Sequence, residues 1–394
     1  MIIFANVAKR IMLNLRKTVT LFVFLPALCL QGHAQRPDSF WGKIVHMISA
    51  PSMELDPAAV YQPSPKWNVA VSGDLRQAGI TQNNEYSFKY SEYGGGEGGA
   101  YVNTKLLGGL DSGLGLHVGY GNLSLGWNFN IGGEKENANS SFSFDYFTPG
   151  YALQLQYFDF RRPVDYDMQI NLGMEDGDFE FSGQLEHPGR MSTFIADAFY
   201  AFNRRNFAYS AVYKGNVIQR RSAGTWMFGA KYLQGTVEYD PDELVSDLLF
   251  GMVRQDTRQV SFGGGFSYNL VPFHRQPGAD GRGLRNLTLN VTGIPMVTLF
   301  NQFSSSMRND LGEGDPVWTR NVINGRMRVN YVLRAGAIYS WDRFYIGVSG
   351  SYDSYSYTGS TDIPDDDDMM EFDKMRSSGR FSRWYASLKL CVKL

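Results

Sequence analysis

The sequence predicts an all-β protein: a closed, antiparallel, up-and-down transmembrane β-barrel of about 12 strands, with 14 the next count. Three observations predict it. Segments of strict apolar–polar alternation recur along the chain, an N-terminal stretch has the layout of an export signal, and no later apolar run approaches the ~18 residues of a membrane helix. From Trp67 to Arg76 one face carries Trp67, Val69, Val71 and Leu75, and the other Asn68, Ala70, Ser72, Asp74 and Arg76. From Leu123 to Ile131 the residues Leu123, Leu125, Trp127, Phe129 and Ile131 alternate with Ser124, Gly126, Asn128 and Asn130. A period of two belongs to a strand with one apolar and one wet face. Both segments have the roughly 9 to 11 residues that a tilted membrane strand needs, against about 5 to 6 in soluble sheets.

Composition agrees. Aromatics are 14% of the 394 residues and glycines number 43, while charged residues are only 19%, below the roughly 25% of soluble domains. Tyr and Trp suit the water–lipid boundary, and Gly suits crowded turns and bends. A soluble or surface-attached β-sandwich that binds glycans is the competing reading of composition alone.

Residues 1–34 hold Lys9, Arg10, Arg16 and Lys17 with no acid, then an apolar core from Val19 to Leu30, then Gly32-His33-Ala34. That is a cleavable signal peptide. The basic pair directly before the core makes Met12 an alternative start, and Leu28 before Cys29 argues against lipidation. Without those residues the chain keeps 33 basic and 39 acidic side chains, so no nucleic acid is expected as a partner. Cys391 is then the one cysteine, and no intrachain disulfide can form.

Residues 35–66, with Pro37, Pro51, Pro57, Pro63 and Pro65, read as an extended periplasmic leader with a short helix near Trp41 to Ile48. The barrel is expected over 67–394. Proline cannot donate to a ladder, so Pro149, Pro163, Pro188, Pro241 and Pro272 mark breaks between strands. The alternation places strands at Glu85–Ser91, Gly113–Tyr120, Phe142–Thr148, Tyr151–Tyr157, Phe179–Glu186, Thr193–Phe202 and Phe207–Lys214. Further strands follow at Thr225–Glu238, Thr257–Asn269, Arg285–Leu299, Arg326–Ser340, Phe344–Tyr357 and Phe381–Leu394. Tyr120-Gly121-Asn122 and Thr148-Pro149-Gly150 read as tight periplasmic turns, and 242–253 as a short loop helix. At roughly 25 residues per strand and connection the length allows about 13 strands, and single-chain barrels use even numbers. The last strand, with Trp384, Ala386, Leu388, Leu390, Val392 and Leu394 on one face, reads as the signal for the barrel assembly machinery, although that signal usually ends in an aromatic.

From Arg205 to Tyr232 the chain runs RNFAYSAVYKGNVIQRRSAGTWMFGAKY, a hairpin with Gln219-Arg220-Arg221-Ser222-Ala223-Gly224 at its second strand. This stretch, with the Gly119-Tyr120 and Leu123-Ser124-Leu125-Gly126 hairpin, resembles an outer-membrane family designated only as a domain of unknown function, number forty-four twenty-one. The resemblance runs from about Lys66 to the C-terminus. It implies a Gram-negative outer-membrane barrel and brings no activity, ligand or catalytic residue.

Candidate chemistry is sparse. His117 points with Gly115 and Gly119 into the lumen, with Asp111 and Ser112 close in sequence; a hydrogen-bonded lumen histidine is the default, and a barrel hydrolase or acyltransferase acting on membrane lipids is the alternative. His187 beside Pro188-Gly189 reads as a turn residue. Arg326, Arg328 and Arg334 share the face opposite Met327, Val329, Tyr331 and Leu333. A charge facing lipid at mid-bilayer costs roughly 2 to 4 kcal/mol, so these arginines are lumen-lining candidates that either pair with lumen acids or line an anion-preferring passage. Pairing is favoured. Asp365 to Asp368 form a solvated outer loop that could meet lipopolysaccharide through divalent cations, and Gly94 to Gly99 a flexible connection without the lysine of a phosphate loop. No catalytic residue, cofactor or metal site is assigned. The function expected is non-enzymatic: a narrow, porin-like pore or a structural component of the outer membrane, in contact with its lipid and lipopolysaccharide.

Overall fold

The computed structural model describes residues 55–394 apart from 64–66, 91–95, 109, 131–139, 163, 172–177, 188, 239, 241–251, 277–282, 310–316, 325–326 and 363–369. The first half of the chain forms β1 (Val60–Tyr61), β2 (Trp67–Tyr90), β3 (Gly96–Gly108), β4 (Asp111–Tyr120), β5 (Leu123–Asn130), β6 (Ser140–Phe147), β7 (Tyr151–Arg162), β8 (Val164–Asn171), β9 (Asp178–Gln184) and β10 (Gly189–Ala201). A short helix α1 (Ser210–Tyr213) follows, then β11 (Ile218–Gln219), β12 (Ala223–Glu238), β13 (Met252–Arg275), β14 (Arg285–Asn309), β15 (Val317–Asn324), β16 (Val329–Trp341), β17 (Phe344–Asp362) and β18 (Met370–Lys393).

Twelve of these strands close a ring. The order β2-β4-β5-β6-β7-β10-β12-β13-β14-β16-β17-β18 returns to its start because β18 pairs antiparallel with β2, from Lys393 opposite Asn68 to Met370 opposite Tyr90. Closure satisfies backbone groups that would otherwise be stranded in hydrocarbon at several kcal/mol each. The fold is therefore the expected closed, antiparallel barrel, and the ring has the expected 12 strands. β3, β8 and β9 extend the wall beyond the short β5–β6 pair, and β15 adds to the far half of β14.

The alternation in sequence becomes an inside and an outside. On β4 Leu114, Leu116 and Val118 are exposed while His117 is buried, and on β16 Val329, Tyr331 and Leu333 are exposed while Asn330 and Arg334 are buried. Greasy residues outside and polar residues inside exclude a soluble sandwich, in which the rings would meet in a shared core. Both chain termini of the wall meet at one end, where Leu394 N–H donates to Trp67 O at 2.8 Å. The tight turns lie at that end too. Tyr120 and Leu123 flank Gly121, whose φ of 56° needs glycine, Thr148 to Gly150 joins β6 to β7, and Asp342 turns β16 into β17. Aromatic pairs ring this end: Trp67 with Tyr120 at 5.2 Å, Tyr151 with Tyr200 at 5.2 Å and Trp341 with Phe344 at 5.9 Å.

Several expectations change. Trp67–Arg76 and the Glu85–Tyr90 part of the expected Glu85–Ser91 belong to one unbroken strand, β2, because its far half finds a partner in β3. Gly96–Gly99, expected in a flexible connection, open β3. Pro272 marks no break; it sits in β13 where the register shifts between Leu270 and Phe273, a bulge that spares the ladder a missing donor. The largest change is at Phe207–Lys214, which forms no wall strand: β10 and β12 already pair directly, Ala201 opposite Met227, and the segment between them folds inward through α1. Residues 1–34, the helix near Trp41 to Ile48, the 242–251 part of the expected loop helix and Asp365 to Asp368 lie outside the described residues, while Met252 and Val253 open β13.

Candidate functional site: a filled lumen

A twelve-stranded wall turns polar side chains toward an axis from which lipid is excluded, and three stacked layers take them up. The first, at the turn end, is the inward segment 202–222. Phe207, Ala208, Tyr209, Ser210, Ala211 and Val212 are all buried. Because this run is apolar on every side, it suits complete enclosure rather than a two-faced wall. Tyr209 stacks on Phe147 at 5.9 Å and packs on Phe199 at 6.0 Å, and Tyr213 Oη donates to Asn290 Oδ1 at 2.8 Å. Gly336 in the wall leaves the room, since a Cβ there would stand 2.7 Å from Val212 Cγ1.

The base of this plug is tied down by Gln219, which is fully buried. Its Oε1 accepts from the Ala208 amide at 2.9 Å and from Asn269 Nδ2 at 3.1 Å, and its Nε2 donates to Asn206 O at 2.7 Å and Arg221 O at 2.9 Å. β11 pairs in turn with β1, placing Val60 opposite Gln219, and Arg220 lies over the Tyr61 ring at 4.7 Å. Asn216 Nδ2 donates to Asn122 Oδ1 at 3.0 Å and Phe147 O at 3.1 Å, joining the plug to the wall turns.

The second layer is ionic. Lys231 Nζ on β12 lies 2.6 Å from Asp353 on β17 and 3.3 Å from Asp197 on β10. Arg334 on β16 donates to Asp197 Oδ2 at 2.6 Å, to Gln154 and to the plug's Tyr209 Oη at 3.3 Å. Arg383 on β18 donates to Asp353 Oδ2 at 2.7 Å. Lys231–Asp353 and Arg334–Asp197 cross the lumen between strands that are not neighbours, while Lys231–Asp197 and Arg383–Asp353 join residues directly opposite each other on adjacent strands. Removing either partner of such a buried pair would leave an uncompensated charge, so the layer is held by mutual satisfaction.

The third layer is apolar. Four of the five ionic residues are followed, two positions farther from the turns, by a hydrophobic one of this layer: Tyr355 after Asp353, Leu233 after Lys231, Ile195 beyond Asp197 and Phe381 beyond Arg383. With Phe158 and Met168 they form one buried cluster. The lumen is a packed core, as small barrels permit.

His117 borders an internal cavity of about 90 Å³ between the plug and the ionic layer. Its Nε2 lies 3.0 Å from Ser72 Oγ, which donates to Asp74 Oδ2 at 2.9 Å. Gly126 gives the ring its place, because a Cβ there would fall 2.4 Å from Nδ1. The sequence-adjacent Asp111 pairs with Arg76, and Ser112 faces outward. A hydrolytic triad needs the imidazole between hydroxyl and carboxylate. Here the serine stands between them, Nδ1 has no partner, and the group faces the lumen rather than lipid.

Of the arginines expected in the lumen, Arg334 is buried in the ionic layer and Arg328 is exposed, donating to Thr358 Oγ1 at 2.7 Å. Arg326 lies outside the described residues. His187 is an exposed bend residue. Sequence reading missed Lys231, Asp197, Asp353, Arg383 and Asp145, although each sits on the inward parity of its strand, and Lys214, which lies in the inward segment. Among the described residues, no three His, Cys, Asp or Glu side chains are placed to hold a metal ion, and no helix is long and apolar enough to cross a membrane.

A closed ring with an apolar exterior and a self-filled polar interior defines a membrane-spanning β-barrel. The chain belongs to the family described as a domain of unknown function (DUF4421), which matches residues 79–365 and so takes in the plug but neither the start of β2 nor most of β18. Among solved structures it is similar to the outer membrane protease OmpT from Escherichia coli, at 10% identity over 82% of this chain and 97% of that one, with a TM-score of 0.38. It is also similar to a Pseudomonas aeruginosa FadL homologue, at 10% identity over 82% of this chain and 90% of that one, with a TM-score of 0.20. Neither likeness bears on function. No curated protein matches the chain.

Proposed function

We propose that the chain is a sealed, non-enzymatic barrel of the Gram-negative outer membrane that serves as a structural component of the envelope. The observation that carries this reading is the ionic layer, in which Lys231 and Arg334 reach across the lumen to Asp353 and Asp197. A conducting pore needs a continuous wet path, and here one layer of paired charges lies between an inward plug and an apolar cluster.

The turn end faces the periplasm in this reading, as short turns and chain ends do in barrels of this kind. Export runs through cleavage of the signal in residues 1–34, and β18 presents its alternating face to the assembly machinery. The outer loops meet lipopolysaccharide. Planar-bilayer recording of the purified full-length chain tests the seal: insertion without current steps is expected, and steady single-channel currents would replace this reading with the narrow pore.

A further inference from the structure

The cavity beside His117 has a composition that a structural filler does not require. Its wall includes His117, Asn128, Asp145, Lys214, Arg334 and Lys389. Two of the three cations have carboxylate partners. Lys214 pairs with Asp145, and Arg334 with Asp197. Lys389 has none: it is inward on β18, opposite Ser72 and Gly347, and its ammonium makes no hydrogen bond or ion pair among the described residues. Asp74, near Ser72 on the same face, accepts from Tyr385 Oη at 2.7 Å and Ser72 Oγ at 2.9 Å and makes no ion pair with Lys389.

Two further groups point to a missing occupant. His117, 7% exposed, has an unpartnered Nδ1, and the buried Nε of Arg334 also lacks a partner. Ser72 gives its one hydroxyl proton to Asp74, so Nε2–H of His117 donates to Ser72 Oγ and Nδ1 is left as an acceptor, which a protonated oxygen of a phosphate can meet. A part-buried ammonium and a free guanidinium N–H thus border one void with two acceptors, His117 Nδ1 and Asn128 Oδ1, that have no donor. Asp145 and Asp74 act on Lys389 only from beyond ion-pair distance; an ammonium without a directly paired charge is costly to remove from water, and water in the void would satisfy hydrogen bonds but not the charge. A smaller void of about 10 Å³, lined by the same His117, Lys214 and Lys389, continues toward the turn end, where Asn216 joins plug and wall.

We propose that this recess is a binding site for a small oxyanion, a carboxylate or phosphate group, which Lys389 pairs electrostatically and the free N–H of Arg334 orients. The site stands on the cavity and its donors, and holds whether or not the barrel conducts.

Calorimetric titration of the folded full-length chain in detergent, at constant ionic strength, with inorganic phosphate and separately with acetate, tests it. Saturable binding of at least one anion is expected, together with a melting temperature that rises with its concentration, because a ligand bound only to the folded state stabilises it. Lys389→Gln should weaken the apparent affinity by about tenfold or more, as loss of one charge-assisted contact does, while the outward Lys105→Met should not. Gly126→Ala keeps every charge but crowds Nδ1, and should weaken it too, which provides a second probe should the Lys389 variant not assemble. No saturable binding by the unaltered chain, or binding unchanged in whichever of these variants folds, overturns the proposal. Binding in a conducting barrel would overturn only the sealed-lumen reading, and a silent barrel that binds neither anion would overturn only this one.

Discussion

Asp353 shows how much one inward carboxylate can hold. It accepts from Lys231 at 2.6 Å and from Arg383 at 2.7 Å, so Asp353→Asn would leave two buried cations facing one neutral amide. Breaking a buried pair by removing one partner costs about 3 to 5 kcal/mol, and the folded form should lose stability on that scale in urea melts followed by tryptophan fluorescence. Exchanging Arg383 and Asp353 together for Met and Leu should cost markedly less, because Lys231 keeps Asp197 as its partner and no lone charge remains between them. Equal losses in the single and double variants would contradict the pairing. The facing of each residue was legible in the sequence: Arg334 is inward because Leu333 and Tyr331 are outward. The partners were not, because Ser72 meets His117 across 45 positions and Arg334 meets Asp197 across 137, separations that only the pairing of strands brings together.

At the scale of elements, strands with one wet face were legible and the inward plug was not. Phe207–Lys214 carries apolar residues on both of its would-be faces, a pattern that periodicity alone cannot assign to wall or interior. The Gln219 motif was visible as a local peculiarity, and the structure gives its reason: one side chain closes the plug, its neighbouring strand and Asn269 of the wall. The plug also depends on vacancy in the wall opposite. Gly336→Val should push Val212 away, break the Tyr213–Asn290 bond and expose 203–217 to protease in a barrel that still closes. Protection equal to that of the parent would show that the plug packs elsewhere. Gln219→Leu should loosen the same segment, measured as faster amide exchange at Ala208.

For the whole molecule, length and alternation foretold the ring of twelve strands, and β9 was expected as Phe179–Glu186, whereas β3, β8 and the continuity of β2 were hidden because those segments lack a continuous apolar face. The exposed band makes its own prediction. Trp226 is 69% exposed and Trp127 39%, both on the outer surface, so chain-brominated lipids should quench tryptophan emission strongly, and Trp226→Phe should remove a large part of that quenching. Emission indifferent to bromine would place the band in water. Closure should also appear as faster electrophoretic migration before boiling than after it.

The seam between β2 and β18 joins the two extremes of the wall, residue 68 to residue 393. Synthesis delivers these partners in the order least favourable to their meeting: the earliest strand must stay unmated, its edge shielded from other chains, until the latest one has emerged. A chain cut short before Met370 would expose two sticky margins at once, on β2 and β17, and its natural fate is to mate with a neighbour. Sealing the cylinder is thus the final act of maturation, and whatever escorts the unfinished sheet must let go only then.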